Sequence, residues 1–190
     1  MPVPGTRTWT AKEQLKMQAS QMLRMGLGSA MLALVVLVGA SPRFAQAGDV
    51  GPVTNLPLPR YVSMKAAEGN VRRGPSLTHR IDWVFKRRDM PLRITAEHGH
   101  WRRVEDRDGM GGWVHYSLLS GTRTVLVEQD MLTLHARPDP QAPVAAALEA
   151  GVVARLGDCT LEWCELRAGG YRGWAPKVRM WGVAPDELRD

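Results

Sequence analysis

The chain has 190 residues with 25 Lys and Arg against 19 Asp and Glu, a net charge of +6, and most of that excess sits in its first 47 residues. This leader holds five basic and one acidic side chain, so residues 48–190 carry 20 against 18, a net of only +2. The high pI is thus largely a property of this leader, a nucleic-acid partner is not expected of a chain that carries an export leader, and 143 residues are enough for one domain or two small ones.

In chain order, the first element is a leader. Leu27 to Ala40 is an apolar run preceded by Lys12, Lys16 and Arg24 and followed by Ala45-Gln46-Ala47, a small-x-small pattern. That layout predicts a cleaved secretory signal peptide over residues 1–47, since the run falls short of the roughly 20 apolar residues of a membrane span. The exported chain is expected in the periplasm, with no stable membrane insertion after cleavage. Residues 48–59 read as a short linker and 185–190 as a tail.

Between them the chain repeats itself. Residues 91–114 recur as 153–175: Trp101 maps onto Trp163, and Gly112-Trp113 onto Gly173-Trp174. Val71-Arg72-Arg73-Gly74-Pro75 is answered more loosely by His135-Ala136-Arg137-Pro138-Asp139. A period above 60 residues suits a small domain that buries its own core rather than a solenoid unit. The boundaries are placed at 60–127 and 128–184, with Thr122–Val127 completing the first copy. Leu92–Ile94, Trp101–Val104 and Gly112–Val114 are brief β-prone runs separated by His98-Gly99 and by Asp106–Gly112, both turn chemistry. Ala142–Ala150 is Ala-rich, but its counterpart contains the strand-like Ile81-Asp82-Trp83-Val84-Phe85, so both are taken as extended. The pattern predicts two small all-β barrels or sandwiches.

Cys159 and Cys164 are the only cysteines. They flank four residues on facing strands of a predicted tight hairpin, and in an exported chain they are expected to form a disulfide. Glu97 and Arg102 occupy the matching positions of the first copy, where a cross-strand ion pair would fit the same geometry. Residues 60–123 hold 13 basic and 7 acidic side chains, residues 124–190 hold 7 and 10. This asymmetry fits a first copy that favours anionic partners, and equally an ordinary Arg-rich β surface.

Asn70-Val71-Arg72-Arg73-Gly74-Pro75-Ser76, a Val-bearing strand, Trp101-Arg102-Arg103-Val104 and then Gly112-Trp113-Val114-His115 resemble the bacterial SH3-like (SH3b) domain. Its hallmarks are an N-V-R-x-G-P-S opening and a closing G-W-V. The tract Gly112–Gly121 particularly resembles tandem SH3b proteins exported by alphaproteobacteria, whereas the second copy is more divergent. The resemblance implies two tandem SH3-like barrels and a role in cell-wall binding, targeting or protein contacts. Trp101, Trp113, Trp163 and Trp174 are expected in the structural cores. Trp83 and Trp181 lack a Trp counterpart in the other copy, so they are better candidates for function than the other four, although packing between the copies is the favoured reading for both.

An enzyme would need a nucleophile, a base and a site. His98 and His100 flank a turn glycine and could share a face, but two ligands do not make a zinc site. A cysteine held in a disulfide supplies no thiolate. No catalysis, metal or cofactor is expected. The expected function is recognition of peptidoglycan or a wall-associated peptide, with Tyr61, Trp83, Lys86, Arg87 and Arg88 as ligand-binding residues. The alternative is a periplasmic adaptor or structural protein that holds an envelope protein by strand addition; a wall hydrolase accessory enzyme ranks last. Oligomeric state is not readable from the sequence.

Overall fold

The computed structural model describes residues 49–190, which are all-β; the expected signal peptide over 1–47 lies outside the described residues. The first sheet contains β1 (Arg60–Met64), β2 (Gly69–Arg72), β3 (Ile81–Phe85), β4 (Pro91–His98), β5 (Trp101–Glu105), β6 (Gly111–His115) and β7 (Leu119–Ser120), in the spatial order β3-β2-β6-β5-β4-β1-β7. The second contains β8 (Thr124–Val127), β9 (Leu132–His135), β10 (Val144–Leu148), β11 (Val153–Cys159), β12 (Trp163–Ala168), β13 (Tyr171–Pro176) and β14 (Met180–Trp181). Its order, β10-β9-β13-β12-β11-β8-β14, repeats the first strand for strand. The Ala-rich stretch is therefore a strand, β10, despite its helical composition. Packing against β9 overrides the weak propensity of alanine.

Each sheet curls around one apolar core. Met64, Val71, Phe85, Leu92, Ile94, Val104 and Val114 form the first, drawn from every strand of the sheet except β7. Val125, Leu132, Leu134, Ala154, Leu166 and Ala175 lead the second. Strand alternation decides who enters. Val104 and Val114 point inward, so Trp101 and Trp113 fall on the other face of their strands; Cys164, Leu166 and Ala175 do the same to Trp163 and Trp174. All four tryptophans are half-buried and none belongs to the buried cores, which corrects the expectation that they fill them. Trp101 instead packs edge-on against His115 at 5.5 Å, and Trp163 against His135 at 5.6 Å.

A second correction concerns Thr124–Val127. This strand pairs with β11 and β14 in the second sheet rather than closing the first. The first strand of each copy precedes its opening motif, so a copy read from that motif onward gives its own first strand to its predecessor.

The cysteines are bonded, and they are direct cross-strand partners on β11 and β12. At the matching place on β4 and β5, Glu97 faces Arg102, with Arg102 Nε 3.4 Å from Glu97 Oε1. The residues expected as linker are also folded. Gly51 and Asn55 close a turn, Val50 bridges Pro57, and the backbone N–H groups of Val53 and Thr54 donate to Glu97 Oε2 at 3.1 and 2.9 Å. The tail does likewise on the other copy, where Arg189 makes a reciprocal backbone pair with Cys159. The segments flanking the two repeats thus anchor at equivalent positions of them.

The repeats pack against each other. Thr124 Oγ1 donates to the Asp89 carbonyl at 2.7 Å, Arg87 to the Gly151 carbonyl at 2.8 Å, and Arg107 pairs with Glu128 at 2.7 Å. Trp181 stands edge-on to Tyr61 at 5.3 Å, and the Arg123 guanidinium lies over the Tyr61 ring.

Candidate functional site

The outer face of the first sheet carries an open groove of about 560 Å³. Five strands contribute: Arg72 and neighbouring Arg73 from the β2 end, Asp82 from β3, Thr95 from β4, Arg103 and Glu105 from β5, and Gly111 to Trp113 from β6. Arg103 and Trp113 are cross-strand partners, so the guanidinium and the indole rise side by side from one face. The β5–β6 turn at one side is held by Asp106, whose Oδ1 accepts from the N–H groups of Asp108 and Met110. Gly109 closes it at φ +79°, a conformation that favours glycine. A Cβ on Gly112 would stand 2.6 Å from the Arg72 carbonyl oxygen, so glycine lets β2 and β6 approach beneath the groove.

Pairing leaves the groove cationic. Asp82 accepts from Arg80 at 2.8 Å and from Arg73 at 3.1 Å, and these guanidinium groups hold its carboxyl below the usual carboxylate range. Glu105 pairs with Arg93 at 2.6 Å. Arg72 donates to the carbonyls of Leu77 and His79, at 3.0 and 2.7 Å, which fixes its orientation without neutralising it. Among the described residues, neither Arg72 nor Arg103 has a carboxylate within ion-pair distance. An aromatic face beside two unneutralised guanidinium groups suits a ligand with a carboxylate and an apolar or sugar face.

The second repeat has the same scaffold with the charges exchanged. Glu165 replaces Arg103 beside Trp174, Arg167 replaces Glu105, and Arg172 stands where the first repeat has Gly111. The Glu165 side chain is 0% exposed and ion-paired to both Arg172 and Arg167. That carboxylate occupies the place where Arg103 stands open in the first copy, so the second groove is filled from within.

A family model described as a bacterial SH3 domain matches residues 65–121 and again residues 128–182. The chain belongs to the bacterial SH3 domain family. No curated protein matches it. Among solved structures the bacterial SH3 pair is similar to NlpC2 of Trichomonas vaginalis, at 12% identity over 64% of this chain and 47% of that one, with a TM-score of 0.31. It is also similar to NlpC1 of the same organism, at 12% identity over 65% and 45%, with a TM-score of 0.30. The chain therefore spans less than half the length of either.

The five residues singled out from the sequence do not line the groove of the first SH3 repeat. Tyr61 lies in the joint between repeats against Trp181. Arg87 is spent on the Gly151 carbonyl and Arg88 on the Lys65 carbonyl, while Lys86 is exposed beyond the end of β3. Trp83 is 46% exposed on β3, but it alternates with Asp82, and it is Asp82 that faces the groove. Trp181, the other unmatched tryptophan, serves packing between the repeats. His98 and His100 diverge: one lies against Trp113, the other against His115 and Tyr116. Among the described residues no three His, Cys, Asp or Glu side chains gather as a metal site. Arg72, Arg103 and Trp113 were missed as a group because their repeat-wide motif reads as scaffold. The available signal was the exchange of Arg103 for Glu165 at otherwise matching positions.

Proposed function

We propose that this chain is a non-catalytic cell-envelope module that binds peptidoglycan or a wall-associated peptide through the groove of its first SH3 repeat. One observation carries the reading. The two repeats share a scaffold and a half-buried tryptophan, yet exposed Arg103 stands beside Trp113 in one while the fully buried Glu165 takes the corresponding place beside Trp174 in the other. Wall stem peptides offer carboxylates for Arg103 and Arg72 and apolar faces for Trp113, and the positive first repeat draws such groups in. On this reading the chain acts after export, in the periplasm, and needs no cofactor.

Retention by purified sacculi tests it. Wild-type protein is expected to co-sediment with peptidoglycan, and Trp113→Ala or Arg103→Glu is expected to weaken retention by about tenfold or more, as loss of a central aromatic or charged anchor does. Trp174→Ala leaves retention intact. Equal retention of all four proteins would dismiss the groove.

A second reading draws on β3. It is the outermost strand of its sheet and exposes Ile81, Trp83 and Val84, a surface on which a partner protein adds a strand. In that case sacculi do not retain the chain, a defined envelope protein co-purifies with it, and Trp83→Ala abolishes the capture.

A further inference from the structure

A second cleft, of about 310 Å³, lies on the second repeat and the segment that enters it; Arg123, Arg155, Arg167 and Arg189 line it over Gly157. Arg155 and Arg167 are direct cross-strand partners on β11 and β12. Like charges placed opposite each other on a ladder oppose pairing. The equivalent pair in the first repeat is Arg93 and Glu105, also cross-strand partners, joined by a 2.6 Å ion pair. The second repeat thus keeps the cation and replaces its counter-charge with another cation.

Nearby carboxylates do not restore the balance. Glu187 is taken by Arg123 in a two-pronged contact at 2.7 and 3.0 Å, and lies 3.8 Å from Arg189. Glu165 is bound by Arg172 and reaches Arg167 only at 3.4 Å. Among the described residues Arg155 has no ion pair, and the buried Nε of Arg123 has no hydrogen-bond partner. Four guanidinium groups therefore face two carboxylates, one of them already bound by Arg172.

We propose that this cleft binds a dianionic phosphate group, as a free ion or a phosphate monoester. A surplus of at least two positive charges matches a dianion, where a single carboxylate leaves charge uncompensated. Planar guanidinium forks suit phosphate oxygens bidentately. The site is separate from the Trp113 groove and does not depend on what that groove binds. Arg123 also lies over Tyr61 and donates to the Gly182 carbonyl, so an occupied cleft ties the ligand to the joint between the repeats.

The test measures thermal unfolding of the purified protein with inorganic phosphate, ionic strength being held constant with sodium chloride. At phosphate tenfold above its dissociation constant the melting temperature is expected to rise by about 4 °C. Arg167→Glu rebuilds the ion pair of the first repeat, so this variant is expected to fold, to melt no lower than wild type without phosphate, and to lose the phosphate response. Arg155→Gln relieves the same clash without adding a charge and is expected to bind phosphate at least tenfold more weakly by titration calorimetry. An absent response in wild type, or one that survives in both variants, overturns the proposal. Glycerol phosphate in solution and phosphatidic acid in phosphatidylcholine vesicles distinguish the source: binding to either, lost in the variants, supports a monoester in that setting, and a response to inorganic phosphate alone, lost in the variants, supports the free ion.

Discussion

Glu97 keeps its negative charge although its side chain has no surface in contact with water. Burial opposes ionisation, but the Thr54 hydroxyl, the Arg60 guanidinium and the backbone N–H groups of Thr54 and Val53 outweigh it and bring the carboxyl down to about 2. Its ordinary value is 4.5, so the folded state prefers the ionised form. The stabilisation is complete above pH 4.5 and drains away as pH falls towards 2. Glu97→Gln keeps the shape, removes the charge and leaves Arg60 and Arg102 without their shared partner. We expect it to cost about 2–4 kcal/mol at neutral pH. Urea unfolding at pH 7, 4 and 2.5 checks this: the gap between variant and wild type must shrink as the pH drops, and a constant gap contradicts the account. None of this was legible in the sequence beyond the Glu97–Arg102 pairing, because residues 49–59 carry no repeat signal and read as linker.

At the scale of elements, the β4–β5 and β11–β12 hairpins solve one problem by different means. One is held by an ion pair, the other by the Cys159–Cys164 bond. Closing so short a loop is worth about 2 kcal/mol in the chain-entropy model. Cys159 also anchors the C-terminal segment through its backbone pair with Arg189. The double substitution Cys159→Ser with Cys164→Ser is therefore expected to lower stability by about 2 kcal/mol, and to speed amide exchange at Arg189 while leaving β4 and β5 protected. Hydrogen exchange followed by mass spectrometry reads both. The sequence supported the pairing of these cysteines because facing strands and short separation suffice to bring them together. The placement of the tryptophans was less legible: an aromatic after a glycine suggests a plug, but side-chain alternation set by Val114 and Ala175 turns both indoles outward.

At the scale of the whole molecule, the two repeats share a joint rather than a tether. Tyr61, Arg123 and Trp181 interlock across it, with Thr124 and Arg87 bonding from either side. We expect one cooperative transition, with calorimetric and van 't Hoff enthalpies agreeing. Trp181→Ala, which empties the aromatic contact, is expected to cost about 2–3 kcal/mol and to separate the melting of the repeats into two steps in scanning calorimetry. A single unchanged transition speaks against coupling through this contact. The duplication was legible from the recurrence of residues 91–114 as 153–175, and the all-β fold from the short β-prone runs and turns between them. The groove was not, since it is made by residues on five strands whose neighbours in space are distant in sequence.

The filled second groove bears on how long the protein stays on a polymer. A duplicated receptor ordinarily gains avidity, because one arm holds while the other lets go. With Glu165 seated inside its own copy, the proposed wall contact is monovalent. Residence on the sacculus is then set by one dissociation rate, and the dense array of identical sites along the polymer, rather than a second arm, is what returns a released molecule to its surface.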